Sequence, residues 1–121
     1  MPYADSDFFI ALLKENDWLR KRAVNLLEKY KGSIWTSEYT VIEILMICKE
    51  FDLDLENVVA SIMQIADVDN KDSLLAVSHI MKKHRMNVFD ALHSVASGND
   101  EIISSDKIYD KIGLRRIRLE K

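Results

Sequence analysis

Short β-like runs alternate with longer helical ones from one end of the chain to the other, and few folds accept that order. Pro2 to Ala4, Ser33 to Trp35, Ala66 to Val68, Glu101 to Ser104 and Arg116 to Leu119 read as brief strands. Between them, helical periodicity covers Asp7 to Leu13, Asp17 to Tyr30, a stretch from the N-cap Ser37 to about Glu50, and a stripe of Leu55, Val58, Val59, Ile62, Ile65 and Ala66 behind Asp54. Further helices start at Asn70 or Asp72, at Asn87 and at Asp106. Strands separated by helices favour an α/β architecture with parallel pairing. Three glycines and one proline leave little room for a linker, so a single domain over residues 1–121 is expected.

Composition removes several classes. With 48% hydrophobic and 31% charged residues, collagen-like, low-complexity and disordered readings fail. The longest apolar run, Tyr39 to Cys48, is broken by Glu43 and falls short of the ~20 residues that span a bilayer, so no membrane partner is expected. The first residues lack a basic stretch followed by an apolar segment, so no secretory signal is expected. A single cysteine, Cys48, forbids an internal disulfide and a cysteine-based zinc site, and a reducing, cytoplasmic setting fits. The net charge of −3 is not that of a chain that coats nucleic acid, but such an average can conceal a local acidic spot.

Four acids are candidates for that spot. Asp5 follows the first strand and Asp106 the fourth; sites in open α/β sheets form at the carboxyl ends of strands, although aspartate there is also a common helix cap. Glu43 lies in a helix apolar nearly all round, Tyr39-Thr40-Val41-Ile42-Glu43-Ile44-Leu45-Met46-Ile47, with no Lys or Arg three or four positions away. A buried carboxylate there needs a cation or a distant Arg, unless the helix presents a narrow solvent strip. Asp90 either forms a capping box with Asn87 or faces a site, with His93 one turn on; a lone histidine there is more often a packed or hydrogen-bonding residue than a ligand, and His79 and His84 have no ligand spacing with it. If the four converge, their mutual repulsion calls for hard divalent ions with oxygen ligands, Mg²⁺ or Mn²⁺. Two such ions can activate a water and stabilise the leaving oxygen of a phosphodiester.

The same stretches resemble the PIN-domain family of metal-dependent ribonucleases. Tyr3-Ala4-Asp5-Ser6-Asp7-Phe8 is similar to its first strand and acidic turn, and Thr36-Ser37-Glu38-Tyr39-Thr40-Val41-Ile42-Glu43 to its Ser-to-Glu helix. Asn87-Val88-Phe89-Asp90-Ala91-Leu92-His93 resembles its Asp-Ala-Leu-His helix, and Ile102-Ile103-Ser104-Ser105-Asp106 its strand ending in a hydroxyl-x-Asp turn. The Gly113-Leu114-Arg115-Arg116-Ile117 tail matches in character, and the motifs occur in order over nearly the whole chain.

The resemblance implies a three-layer α/β/α sandwich with a short central parallel sheet. It also implies Asp5, Glu43, Asp90 and Asp106 as a Mg²⁺- or Mn²⁺-binding catalytic quartet, with Ser104 and Ser6 as supporting hydroxyls. Asp7, where the family often has Asn or Ser, is a further acid that joins the metal shell or caps the next helix. Asp110 is near the site in sequence, yet its spacing also fits an exposed helix position. Many small members are toxins of toxin–antitoxin pairs, usually homodimers neutralised by a partner, whereas others process RNA; the implied substrate is RNA.

Basic clusters could hold RNA phosphates: Lys14, Arg20-Lys21-Arg22, Lys82-Lys83-His84-Arg85, and Lys107, Lys111, Arg115, Arg116, Arg118 and Lys121 near the end. Such runs are more often solvated helix faces. Trp18, Trp35, Tyr39 and the methionines read as core or dimer interface rather than stacking platforms. Two rival readings are a catalytically inactive PIN-like module that binds RNA or protein, and a phospho-accepting receiver domain. The receiver needs a phospho-acceptor Asp after a central strand, which Glu43 and Asp90, inside helical patterns, do not supply.

Overall fold

The computed structural model describes residues 1–51 and 53–120; Lys121, counted above among the basic residues, lies outside them. The elements run α1 (Ser6–Leu13), α2 (Arg20–Lys29), β1 (Trp35–Thr36), α3 (Glu38–Cys48), a 3₁₀ turn (Lys49–Phe51), α4 (Leu55–Ile65), β2 (Asp67–Val68), α5 (Lys71–His84), α6 (Val88–Ser97), β3 (Ile102–Ser104), α7 (Ile108–Lys111) and β4 (Arg116–Arg118). This is the order expected from the sequence except that the first strand expected over Pro2 to Ala4 is reduced to an isolated bridge at Tyr3, and helix boundaries move by up to three residues.

Local chemistry explains most boundaries. Asp54 caps α4 by accepting from the Asn57 N–H (3.4 Å), and Asn87 caps α6 by accepting from the Asp90 N–H (2.8 Å). Gly98 ends α6 at φ +58°, a left-handed conformation that costs glycine nothing. Ser37 departs from expectation. It occupies the N-cap position of α3 without a capping hydrogen bond, and its hydroxyl is instead bonded to the Tyr3 phenol (2.8 Å).

All strand pairing is parallel, but it falls into two ladders rather than one continuous sheet among the described residues. In the first, Tyr3 bridges Trp35, and β1 pairs with β2 in the register Trp35↔Asp67 and Thr36↔Val68. In the second, Ile102, Ile103 and Ser104 of β3 pair with Arg116, Ile117 and Arg118 of β4. Strands of two or three residues offer few groups for laddering, so helix packing carries most of the structure. Phe9, Val41, Ile44, Leu45, Val59, Ile62, Leu74 and Val77, from α1, α3, α4 and α5, are almost wholly buried in one core cluster. Burying each such side chain contributes roughly 1.5–3 kcal/mol. Among the described residues no helix is long and apolar enough to cross a membrane.

Candidate functional site

Asp5 emerges where the Pro2–Ala4 run leaves its pairing with β1, secured by the Ala4 N–H on the Trp35 carbonyl (2.9 Å) and the Trp35 N–H on the Pro2 carbonyl (3.1 Å). Thr36 ties the same corner by donating its hydroxyl to the Ala4 carbonyl (2.7 Å). Asp5 holds the N-cap position of α1, yet its side chain makes no capping hydrogen bond. The capping role, open from sequence, is therefore not used, and the exposed carboxylate faces Ser6.

Ser6 is buried at 4% exposure, and its hydroxyl lies within hydrogen-bond reach of Asp5 Oδ1 (2.9 Å) and of Glu43 Oε1. A serine hydroxyl carries one proton and donates to one carboxylate at a time. The Asp5–Ser6–Glu43 triplet is thus a run of oxygens with too few protons to link them all.

Glu43 is not buried, contrary to the expectation from its apolar neighbours. The helix sends Thr40, Val41, Ile44, Leu45 and Cys48 into the core and presents Tyr39, Glu43 and Met46 to solvent. The solvent-strip alternative is the one realised.

Asp90 and Asp106 belong to the second half of the chain. Asp90, half-buried in the first turn of α6, forms one half of the capping box by donating its N–H to Asn87 Oδ1 (2.8 Å), but its Oδ2 accepts from the Asn87 side-chain Nδ2 (3.0 Å) rather than from the Asn87 backbone N–H. The Tyr109 hydroxyl donates to Asp90 Oδ1 (3.3 Å). Asp106 sits in the turn after β3, where its N–H donates to Ser104 Oγ (2.9 Å) and its Oδ1 accepts from the Ile108 N–H (3.0 Å) at the start of α7. The cap-like geometry considered for Asp106 is therefore present, with Ser104 in a supporting contact. Burial, followed by the charges of Asp90 and Asp106, pushes the Tyr109 phenol above its ordinary pKa.

The four acids are accordingly arranged as Asp5 with Glu43, and Asp90 and Asp106 around Tyr109. Among the described residues no three His, Cys, Asp or Glu side chains already stand at metal-binding spacing. The donor chemistry nonetheless fits a hard divalent cation: every candidate ligand is an oxygen, and among the described residues no Lys or Arg ion pair neutralises any of the four.

Asp7 is exposed in the first turn of α1, where it complements the helix N-terminus but does not cap it. His93 is exposed. Asp110 is committed elsewhere, since Arg116 binds it through two contacts (Nε to Oδ1 3.0 Å, Nη2 to Oδ2 2.8 Å). Arg116 also donates to Glu120 (2.8 Å) and to the Ser104 carbonyl (2.7 Å), and its side chain is only 3% exposed. Arg116 is consequently withdrawn from the basic tail proposed for RNA. Arg20 donates to the Leu12 carbonyl, and Lys82 pairs with Asp54 (3.4 Å).

Trp18 and Tyr39 are 87% and 75% exposed, so of the two roles expected for them, core or dimer interface, the core one fails. Trp35, at the margin of exposure, meets Tyr3 edge-on with ring centroids 4.8 Å apart. Of the methionines, Met81 and Met86 are core, whereas Met1 and Met46 are exposed. Tyr109 and Arg116 are the residues whose structural roles sequence reasoning missed. The available signal for Tyr109 was its position one helical turn beyond Asp106; for Arg116 there was none beyond its charge.

Asp5 and Asp106 follow parallel-paired segments and Glu43 and Asp90 lie on α3 and α6, each without an ion-pair partner among the described residues. The sequence profile of the PIN domain matches residues 3–114, and the chain belongs to the PIN domain family. PIN domains are generally nucleases acting on RNA or DNA and usually use divalent metals. Neither the curated proteins nor the solved structures contain a match. With Glu43 and Asp90 in helices α3 and α6, the receiver alternative does not fit.

Proposed function

We propose that this chain, as a single domain over residues 1–121, is a ribonuclease dependent on Mg²⁺ or Mn²⁺. The observation that carries the reading is that the Ser6 hydroxyl lies within reach of both the Asp5 and the Glu43 carboxylate although neither has a cationic partner among the described residues. Asp5, Glu43, Asp90 and Asp106 would hold the ions, with Asp7 as a further acid. Bound divalent ions supply Lewis-acid stabilisation of charge on phosphodiester oxygens. Ser6 orients the Asp5 and Glu43 carboxylates, and Ser104 fixes the backbone that presents Asp106. In this reading the short parallel ladders form the middle of a three-layer α/β/α sandwich.

RNA is favoured as substrate by the motifs quoted above. Exposed Lys21, Arg22, Lys107 and Lys111 are available for its phosphates, whereas Arg115 donates to the Asn99 carbonyl (3.0 Å). A toxin role, with a homodimer neutralised by an antitoxin protein in the cytoplasm, is part of the same proposal. The exposed Ile103, Ile117 and Leu119 provide apolar area for such protein contacts.

The test is a divalent-ion titration with a scrambled RNA pool. Wild type should cleave only with Mg²⁺ or Mn²⁺, and Asp5→Asn and Asp90→Asn should each abolish cleavage while circular dichroism stays unchanged. Equal activity in mutant and wild type rejects the site. RNA binding without cleavage in any divalent ion would favour the inactive binding module.

A further inference from the structure

We propose that Tyr109 is a positioning residue that fixes the orientation of the Asp90 carboxylate through its hydroxyl, so that Asp90 meets a divalent cation already aligned. The inference rests on the nuclease reading above and deepens it.

Acids in this part of the molecule are partnered in two different ways. Asp110 is met by the Arg116 guanidinium through two contacts, an arrangement that neutralises its charge. Asp90 is met on both oxygens by neutral donors, the Asn87 amide (3.0 Å) and the Tyr109 phenol (3.3 Å). Neutral donors orient a carboxylate without cancelling its charge, and two of them leave further lone pairs for a ligand. One acid is paired for structure; the other is aimed and has no cationic partner among the described residues.

Tyr109 can perform that task because it is itself immobile. Its side chain is 3% exposed and belongs to the core cluster, so packing fixes the ring. The helix that carries it, α7, is tied at both ends. At its start the Ile108 N–H donates to Asp106 Oδ1 (3.0 Å), and at its end Asp110 is gripped by buried Arg116, which also holds the Ser104 carbonyl. The hydroxyl therefore links Asp90 on α6 to the same turn that presents Asp106. Partners that orient metal-binding side chains typically change metal affinity by about 10–100-fold when removed.

The experiment compares wild type, Tyr109→Phe and a variant carrying 4-aminophenylalanine at position 109, which retains a hydrogen-bond donor. Free Mn²⁺ is followed by electron paramagnetic resonance, thermal melting by circular dichroism, and RNA cleavage at limiting and saturating Mn²⁺. Tyr109→Phe should stay folded and bind Mn²⁺ about tenfold more weakly. Its cleavage should fall at limiting Mn²⁺ and recover at saturating Mn²⁺ with KM for RNA unchanged, and the 4-amino variant should bind like wild type. A folded Tyr109→Phe with wild-type Mn²⁺ affinity overturns the inference while leaving the nuclease reading intact. Failure of Tyr109→Phe to fold also overturns it if the 4-amino variant folds yet binds as weakly as a donor-free side chain would. Wild type that binds no Mn²⁺ rejects the nuclease reading and this inference together.

Discussion

Ser6 and Glu43, separated by 37 positions in the chain, are joined by a hydrogen bond from the serine hydroxyl to the glutamate carboxylate. That link brings the start of α1 against the middle of α3 and places Asp5, the residue before Ser6, beside Glu43. Removing it with Ser6→Ala deletes one buried hydroxyl and leaves no void larger than an oxygen. We expect RNA cleavage at limiting divalent ion to fall by about tenfold or more, the range seen when groups that orient ligands are lost. Initial rates across an ion titration measure this, with circular dichroism to verify the fold.

The two faces of α3 should respond oppositely. Ile44 is fully buried, and Ile44→Ala should cost about 2–5 kcal/mol in urea unfolding. Glu43 is exposed, so Glu43→Gln should stay within about 0.5 kcal/mol of wild type. The same Glu43→Gln protein should nevertheless lose RNA cleavage.

Thr36 offers a test of how the first strand is held. Its buried hydroxyl donates to the Ala4 carbonyl, one residue before Asp5. Thr36→Val keeps the branched shape but strips the carbonyl of that donor, at an expected cost of about 1–3 kcal/mol in urea unfolding.

The Arg116 cluster makes stability depend on acid. Hydrogen bonding to Arg116 holds Glu120 down to about 2, against an ordinary value of 4.5, and holds Asp110 below its ordinary value as well. Both acids bind protons more weakly in the folded chain than in the unfolded one. Their contribution is complete above the unfolded values and disappears as pH falls from about 4.5 towards 2. Thermal midpoints measured between pH 6 and pH 2.5 should drop less steeply in an Asp110→Asn/Glu120→Gln double variant than in wild type.

The order of elements was legible in the sequence because its signals are local. The Leu55-Val58-Val59-Ile62 stripe behind Asp54 became α4, and Asn87 and Gly98 bracket α6 as their chemistry requires. Asp5, Glu43, Asp90 and Asp106 could be singled out by their positions after strands or within apolar helices. What remained hidden depends on three-dimensional neighbours. Glu43 lies amid apolar residues in sequence, but a helix with one buried side still turns its other side outward, and Tyr39 and Met46 go with it. The hydrogen bond from Tyr109 to Asp90 spans two helices, and the burial of Arg116 depends on Asp110 and Glu120 folding around it; neither leaves a periodic trace. The division into two ladders follows from strands too short for their pairing to be inferred from pattern.

Asp5, Glu43 and Asp106 stand at the surface, and Asp90 only partly beneath it, while the core is built from other side chains. The proposed chemistry and the architecture therefore draw on separate sets of positions. If the proposed site is the working one, a single carboxylate-to-amide change would silence the molecule without unfolding it, and lineages descending from such a chain would keep the scaffold long after the reaction was gone.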